Sequence, residues 1–417
     1  MKILFIVPYV PNLIRVRAYN LIRNLAACGN RVTVLTIWTG EQDKDDLESL
    51  RAHAYQVEAV HLPVWRSMLN CLRAVPSGVP LQAVYSWDPA LLRRAGSLVD
   101  QANGKTPFDV VHVEHLRGAR YGLEMRAQVN ARQTRLPVVW DSVDSISLLF
   151  RQAMVQGKSL LSRGITRFEL GRTEKYEAWL VDQFDRVVVT SQTDRLALLS
   201  LASKEDQPDQ VQVLPNGVDL DYFKPSQDVR REPETLVISG KMSYHANVAM
   251  SLLFLQDIMP IVWAGRPGVK VRIVGKDPPP QVQALAANPN VEVTGTVPDI
   301  RPYLQTGTVA VAPVAYGAGI QNKVLEAMAC GTPVVASRQA AAALSAEPGR
   351  DLLTAENPQE FANALLGLLT DAARCEQIGR AGRQYVERCH NWSDIAARLE
   401  TIYTQARDRT RQANQAL

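Results

Sequence analysis

Thr308 to Ser337 reads "TVAVAPVAYGAGIQNKVLEAMACGTPVVAS". A β-branched run, "TVAVAPV", meets a glycine turn at Tyr316-Gly317-Ala318-Gly319. A helical pattern starts near Ile320, and Gly331-Thr332-Pro333 closes it before another apolar run, "PVVAS". Strand, helix, strand in that order is a parallel βαβ unit, because parallel neighbours need a crossover between them. Lys323 and Glu326 stand three residues apart, on one face of that helix's first two turns. A helix N-terminus behind a glycine turn offers free N–H groups and the positive end of a dipole, a natural seat for phosphate. A lysine there can neutralise a second phosphate. A carboxylate one turn on can accept paired hydrogen bonds from vicinal hydroxyls, such as those of ribose. The plain alternative is a solvent-facing ion pair on an ordinary helix.

The same alternation extends in both directions. "KILFIV" precedes a helical pattern from about Leu13 to Cys28, and Gly29 stops it before "RVTVLTI". "FDVVHVE", "LPVVWD", "FDRVVVTS" and "DQVQVLP" follow. Continuous β-branched runs indicate strands buried on both faces, as in parallel sheets. "LPNGVDLDYFKPSQDVRREPE" interrupts the pattern with Pro215, Asn216-Gly217, Pro225 and Pro233, and reads as a domain boundary. Alternation then resumes with "TLVISG", a helix from about Asn247 to Trp263, "KVRIVG" and "VEVTGTV", and helices dominate after Gln359. The expected fold class is α/β, with two doubly wound domains in series, 1–215 and 216–389. Ligands of such sheets bind at the carboxyl ends of the strands.

A chain of 417 residues has room for two such domains. A formal charge of +4 is too small to argue for nucleic acid as a partner. Cys28, Cys71, Cys330, Cys375 and Cys389 are odd in number and scattered, which fits reduced thiols in a cytoplasmic protein. "MKILFIVPYV" reads as a first strand and not as a signal peptide. No run of roughly 18 apolar residues occurs, so no membrane span is expected.

"GKMSYHANVAM", "VEVTGTVPDIRPYLQTGTVAVAPV", "AYGAGIQNKVLEAMACGTPVVAS" and "LPNGVDLDYF" resemble glycosyltransferases of the GT-B fold. The type is that called group 1 or family 4, and within it the sugar transferases of exopolysaccharide synthesis. The resemblance covers nearly the whole chain, including "NWSDIAARLETIY", which in the family opens a C-terminal helix (here about 390–417) returning to the first domain. It implies two Rossmann-like domains facing a central cleft. The second would hold a nucleotide diphosphate sugar, and the first a glycan or lipid-linked glycan acceptor. It also implies transfer with retention and no metal or other cofactor.

Residue by residue, Glu326 matches the family glutamate that holds the donor ribose. The glutamate expected eight positions earlier is Ala318, and a variant with a glycine-rich turn and a lysine matches Gly317, Gly319 and Lys323. Ile320, Gln321 and Asn322 complete the donor turn. Gly240 and Lys241 stand where the family faces the diphosphate, Lys241 replacing an arginine. The family's second basic residue has no clear counterpart; Asn247 is nearest, and Lys323 supplies the charge. Lys241 also reads as a surface lysine after a strand. Val297 matches the position near the base, or is a loop valine over the core. The resemblance assigns the reacting-sugar contact to His115, with Glu114 its rival by one residue of register, whereas His112 reads as a core histidine. The family's paired glycines of the first loop are Asn12-Leu13 here. Arg15 or Arg17 compensates, or both are exposed helix residues. Asp141 and Asp144 in "WDSVDS" bind an acceptor hydroxyl or cap structure. "DLD" at Asp219 to Asp221 belongs to the linker signature and not to a metal site.

The segment Val111 to Lys175 carries eleven Lys and Arg against six acids, with "ISLLF" and "SLL" interleaved. It fits either peripheral contact with an anionic membrane, at the inner face of the cytoplasmic membrane, or a solvated basic face. A rival reading of the whole chain, prompted by Ala318 and by Asn12-Leu13, is a non-catalytic nucleotide-sugar-binding partner in a glycan assembly complex.

Overall fold

A computed structural model describes residues 1–100, 108–131, 136–156, 160–204, 207, 209–226, 228–314 and 319–415. The chain divides into two compact units, Met1–Pro215 with Trp392–Leu417, and Asn216–Asn391.

In the first unit the strands are β1 (Lys2–Val7), β2 (Arg31–Trp38), β3 (Gln56–His61), β4 (Val110–Glu114), β5 (Val138–Val143), β6 (Arg186–Val189) and β7 (Val211–Val213). They form one seven-stranded sheet in the order β3-β2-β1-β4-β5-β6-β7. Every pairing is parallel. The order reverses between β1 and β4, where the carboxyl ends leave the crevice typical of doubly wound sheets. All five residues of β4 are buried, which explains the unbroken apolar run. β3 was not expected from the sequence. It is an edge strand whose residues are only partly covered, so "QVEAVH" lacks the apolar signature of its neighbours.

The last helix, Trp392–Gln415, belongs to this unit and packs on the helix Val16–Ala27. Trp392, Ile395, Leu399, Ile402 and Tyr403 join Ile3, Phe5 and Val7 of β1 in one buried cluster. Apolar residues recurring at helical spacing along this segment account for its docking.

In the second unit β8 (Thr235–Ser239), β9 (Lys270–Val274), β10 (Val291–Gly295), β11 (Val309–Ala312), β12 (Val334–Ser337) and β13 (Leu353–Ala355) form a six-stranded sheet in the order β10-β9-β8-β11-β12-β13, again parallel throughout. The reversal lies between β8 and β11. The helical stretch His245–Gly265, which includes a π-turn over Phe254–Ile258, is long and apolar enough by composition to cross a membrane. Met250, Phe254, Met259 and Val262 along it are fully buried in the core over this sheet. Its apolarity is that of a core helix.

Candidate donor site and the strand ends of the first unit

In the second unit the candidate residues gather where β8 and β9 end. Gly240 has φ +144° and Gly275 φ +155°, backbone that side chains rarely adopt. A Cβ on Gly275 would lie 1.7 Å from the Gly240 carbonyl oxygen, so the two strand ends touch backbone to backbone. A Cβ on Gly240 would lie 2.8 Å from Asn247 Nδ2 and 3.5 Å from Lys323 Cε. The glycines therefore leave room for polar groups arriving from two helices. Sequence reading named Gly240 and missed Gly275, although "VISGK" and "VRIVGK" carry the same strand-end glycine.

Asn247, on the helix beginning at His245, connects the two lysine segments. Its Nδ2 donates to the Lys241 carbonyl at 2.9 Å and its Oδ1 accepts from Lys323 Nζ at 2.6 Å. The Lys241 side chain is exposed at the strand end. Lys323 stands at the second position of the helix Asn322–Ala329, whose N-cap, Gln321, makes no side-chain capping bond. Among the described residues the Lys323 ammonium contacts only uncharged groups: Asn247, Gln321 Oε1 at 3.5 Å and Met250 Sδ at 4.0 Å. Burial lowers it to about 8, an effect Glu326 only partly offsets. One turn on, burial raises Glu326 to about 7, against the pull of Lys323. Its carboxylate makes no hydrogen bond or ion pair among the described residues. Asn322 Oδ1 is likewise buried without a partner. Here a lysine held only by uncharged groups gathers on the first turns of one helix with a carboxylate and an amide oxygen that lack the partners buried polar groups require among the described residues.

Around this centre Gly319 has φ +72° and Ile320 is buried in the core. Gly317 and Ala318 lie outside the described residues. Val297 packs against the second unit's core, as the loop-valine reading has it. Asp219 accepts the N–H groups of Asp221 (3.2 Å) and Tyr222 (3.0 Å), so "DLD" serves as a turn.

The strand ends of the first unit hold a denser polar cluster. Glu114, the last residue of β4, is fully buried; its Oε1 accepts from Tyr9 OH at 2.7 Å and its Oε2 has no partner. Burial first, and then the charge on Asp141, push Glu114 up to about 8, so it is protonated at neutral pH. Asp141 is buried beside it and accepts from Arg17 Nε at 2.8 Å and from the Val143 N–H at 3.0 Å. Arg17 also donates to the Leu214 carbonyl at 3.0 Å. The expectation of Arg17 as an exposed helix residue is corrected: it is the buried partner of Asp141. Arg15 is the exposed one, with its guanidinium 4.9 Å from the centre of the Tyr9 ring.

His112 is a core residue, stacked 4.0 Å from Phe5 and bonded through Nδ1 to Tyr403 OH at 2.8 Å. Burial holds its pKa well below the usual histidine value, so it is neutral. His115 follows at φ +65°, half-buried, opening the helix His115–Ala131. Its Nδ1 accepts the Arg117 N–H at 3.3 Å, which places the proton of the neutral ring on Nε2. Burial, helped by Arg117, lowers it to about 3. His115 can therefore donate a hydrogen bond at neutral pH but is a weak base. Asp144 accepts from Thr190 Oγ1 at 2.9 Å and is raised by burial to about 6. Asn12 accepts the N–H groups of Ile14 and Arg15 and so forms the loop turn where the family has glycines. Tyr9 and Tyr403 were missed. Nothing but the strand-end position of "VPYV" pointed to the first, and only a 291-residue separation joins the second to His112.

Two family descriptions match this chain: Glycosyltransferase Family 4 over residues 14–222, half of its length, and Glycosyl transferases group 1 over residues 233–371. The chain belongs to this glycosyltransferase family. A D-inositol 3-phosphate glycosyltransferase of Arthrobacter sp. (strain FB24) is 26% identical over 81% of each chain. Sucrose-phosphate synthase of Thermosynechococcus elongatus shares the fold at a TM-score of 0.67 and 21% identity, over 97% of this chain and 98% of that one. Anabaena Alr3699/HepE, solved in complex with UDP, does so at 0.67 and 15%, over 97% and 100%. The same protein in complex with UDP-glucose aligns at a TM-score of 0.63. These structural likenesses establish the GT-B fold for this glycosyltransferase.

Proposed function

We propose that the second unit binds a nucleotide diphosphate sugar and that the protein transfers its sugar, with retention, to a hydroxyl of a glycan or lipid-linked glycan. The observation that carries this reading is the grouping of Lys323, bonded only to uncharged groups, with Glu326 and Asn322 Oδ1, which have no partner among the described residues, on the first turns of one helix beside Gly240 and Lys241. A diphosphate next to Lys323 would restore its full charge, and ribose hydroxyls would give Glu326 the donors it lacks. The complexes of Alr3699/HepE with UDP and UDP-glucose support a nucleotide-sugar donor. Lys241, Lys323 and the helix end would stabilise the departing diphosphate, worth several kcal/mol of barrier in a preorganised site. In front-face transfer the leaving phosphate helps to take the acceptor proton. His115, neutral and with Nε2–H available, suits a positioning donor to the reacting sugar better than a general base. Asp144 and Arg15 are the acceptor-side candidates, and the product would serve polysaccharide or glycolipid synthesis at the inner face of the cytoplasmic membrane.

Calorimetric titration with UDP, GDP, ADP and TDP, followed by transfer and donor-hydrolysis assays with the corresponding sugars, tests the proposal. One nucleotide should bind, and its sugar ester should turn over. Binding without turnover of any donor would favour the non-catalytic partner, and no binding at all would remove the donor site.

A further inference from the structure

We propose that the exposed face of the helix Val64–Ala74 docks on an anionic lipid bilayer. The helix is turned inside out. Its small residues Ser67 and Ala74 are buried, whereas Val64, Trp65, Met68 and Leu72 face solvent, Leu72 at 69% and Trp65 at 64% of full exposure. Val75 extends the stripe at the helical interval. Soluble chains rarely expose a contiguous apolar ridge of this kind unless something covers it.

The surrounding charge identifies the occupant. No Asp or Glu occurs from residue 59 to 87. Arg73 is exposed on the helix itself, whereas Arg66 is paired with the buried Asp88 at 3.1 Å. The helix Leu160–Gln183 meets the segment that follows Val64–Ala74, at Val75, Val79 and Leu81. Arg172 reaches across to the Val79 carbonyl at 3.4 Å, and its guanidinium stacks 4.2 Å from the centre of the exposed Phe168 ring. Arg167 is exposed beside Phe168. The neighbouring acids are silenced. Glu169 is buried, accepts the Leu81 N–H at 2.8 Å and pairs with Arg172 at 3.7 Å, and Glu174 is paired with Arg151 at 2.7 Å. An apolar ridge with Arg73 and Arg167 exposed around it, and its neighbouring carboxylates engaged among the described residues, is complementary to an acidic headgroup layer over hydrocarbon.

This narrows the membrane reading of the basic segment Val111 to Lys175 to its end around Arg167 and Phe168, beside the helix Val64–Ala74 and the turn after it. Several of its described cations are engaged within the chain: Arg117 over Tyr85, Arg120 over Trp87 and Arg151 on Glu174. The inference stands whether or not the donor reading does.

The test is flotation of the full chain with vesicles of phosphatidylcholine alone and of an equal mixture with phosphatidylglycerol. The protein should float with the mixed vesicles and much less with the neutral ones, and added salt should release it. Met68→Asp with Leu72→Asp should lower partitioning by roughly tenfold or more. Arg73→Glu should lower it by roughly fivefold, the weight of about one well-placed charge. Equal flotation of the double variant, or no flotation of the parent, overturns the proposal. So does a dimer in light scattering that the double variant dissolves, which would give the ridge to a second copy. If the double variant does not fold, Arg73→Glu decides alone, and unchanged partitioning overturns the proposal. Nucleotide binding by the second unit is read separately in each variant.

Discussion

Both units end the strands beside their switch points in unusual backbone, but they do so with different residues. The second unit uses Gly240 and Gly275, and the space they free is filled by Asn247 and Lys323. The first uses His115 at φ +65° and Val143 at φ +69°, residues with side chains that must tolerate the left-handed region. Their polar chemistry differs in the same direction. In the first unit Asp141 has Arg17, His112 has Tyr403, and burial keeps Glu114 protonated. In the second, the Lys323 ammonium is bonded only to uncharged groups, and the Glu326 carboxylate and Asn322 Oδ1 have no partner among the described residues. The Arg17–Asp141 ion pair ties the first unit's strand ends together, although Glu114 Oε2 and His112 Nε2 find no hydrogen-bond partner. Lys323 and Glu326 make no ion pair among the described residues, and that contrast sets out where substitutions should hurt folding and where they should hurt binding.

The largest effect should follow Gly275→Ala. Its Cβ would sit 1.7 Å from a backbone oxygen, which no rotamer change relieves. The strand ends must separate, so the loss should reach the upper range for single substitutions, about 4 kcal/mol or more. Urea unfolding should register it together with loss of nucleotide binding. A protein that still binds the nucleotide with parental affinity would show that β8 and β9 can part without cost to the site. Next in size is His115→Ala. It should lower turnover by roughly 10²–10⁴-fold while donor affinity stays within about twofold, because the residue belongs to the first unit. Glu114→Gln should be milder, since Glu114 is enclosed and already protonated. If Glu114→Gln abolishes transfer and His115→Ala does not, the roles are reversed.

Lys323 and Glu326 make a pH prediction with two limbs. Binding favours Glu326 as carboxylate and Lys323 as ammonium. Acid protonates Glu326 through about 7 and alkali deprotonates Lys323 through about 8, so affinity for a nucleotide sugar should peak between them. Outside that window it should fall by up to about tenfold per pH unit. A sugar ester is the right probe, because its diphosphate diester does not titrate in this range. Glu326→Gln should cost roughly tenfold to a hundredfold and flatten the acid limb. Lys323→Met should flatten the alkaline limb and spare free nucleoside, which carries no phosphate. Equal losses for nucleoside and diphosphate in Lys323→Met would mean structural damage instead.

Much of this was legible in the sequence, for definite reasons. The central strands are buried on both faces, so composition alone marks them, whereas the edge strand β3 carries a mixed, half-covered pattern and escaped notice. Lys323 and Glu326 could be placed on one helix face because they are three residues apart on a short helix that a glycine turn announces. Asn247 was visible as a position but not as a bridge, because its partners lie six and 76 residues away. Arg17 could not be told from Arg15 by pattern. Only the fold brings Asp141 within 2.8 Å of Arg17, 124 residues along the chain. Close approach of backbone to backbone at Gly275 left no more trace than a glycine at a strand end.

The smallest prediction tests whether the first unit's strained residues are kept for their side chains. Val143 is a β-branched residue in the left-handed region, where such a residue costs roughly 1–2 kcal/mol. Its backbone still does needed work: its N–H donates to Asp141 and its carbonyl accepts from the Thr190 N–H at 2.7 Å. Val143→Gly keeps both bonds and removes the strain. Against that stand roughly 0.5–1 kcal/mol of added freedom in the unfolded chain and about 1 kcal/mol for the half-buried side chain. These terms nearly cancel, so hydrogen exchange of the β5 amides should report a change below about 1 kcal/mol in either direction. Asp141 would then be held by backbone geometry and Arg17 alone. A loss above about 2 kcal/mol would show that the valine side chain is what fixes this strand end. The first unit would then depend on a side chain where the second depends on the absence of one.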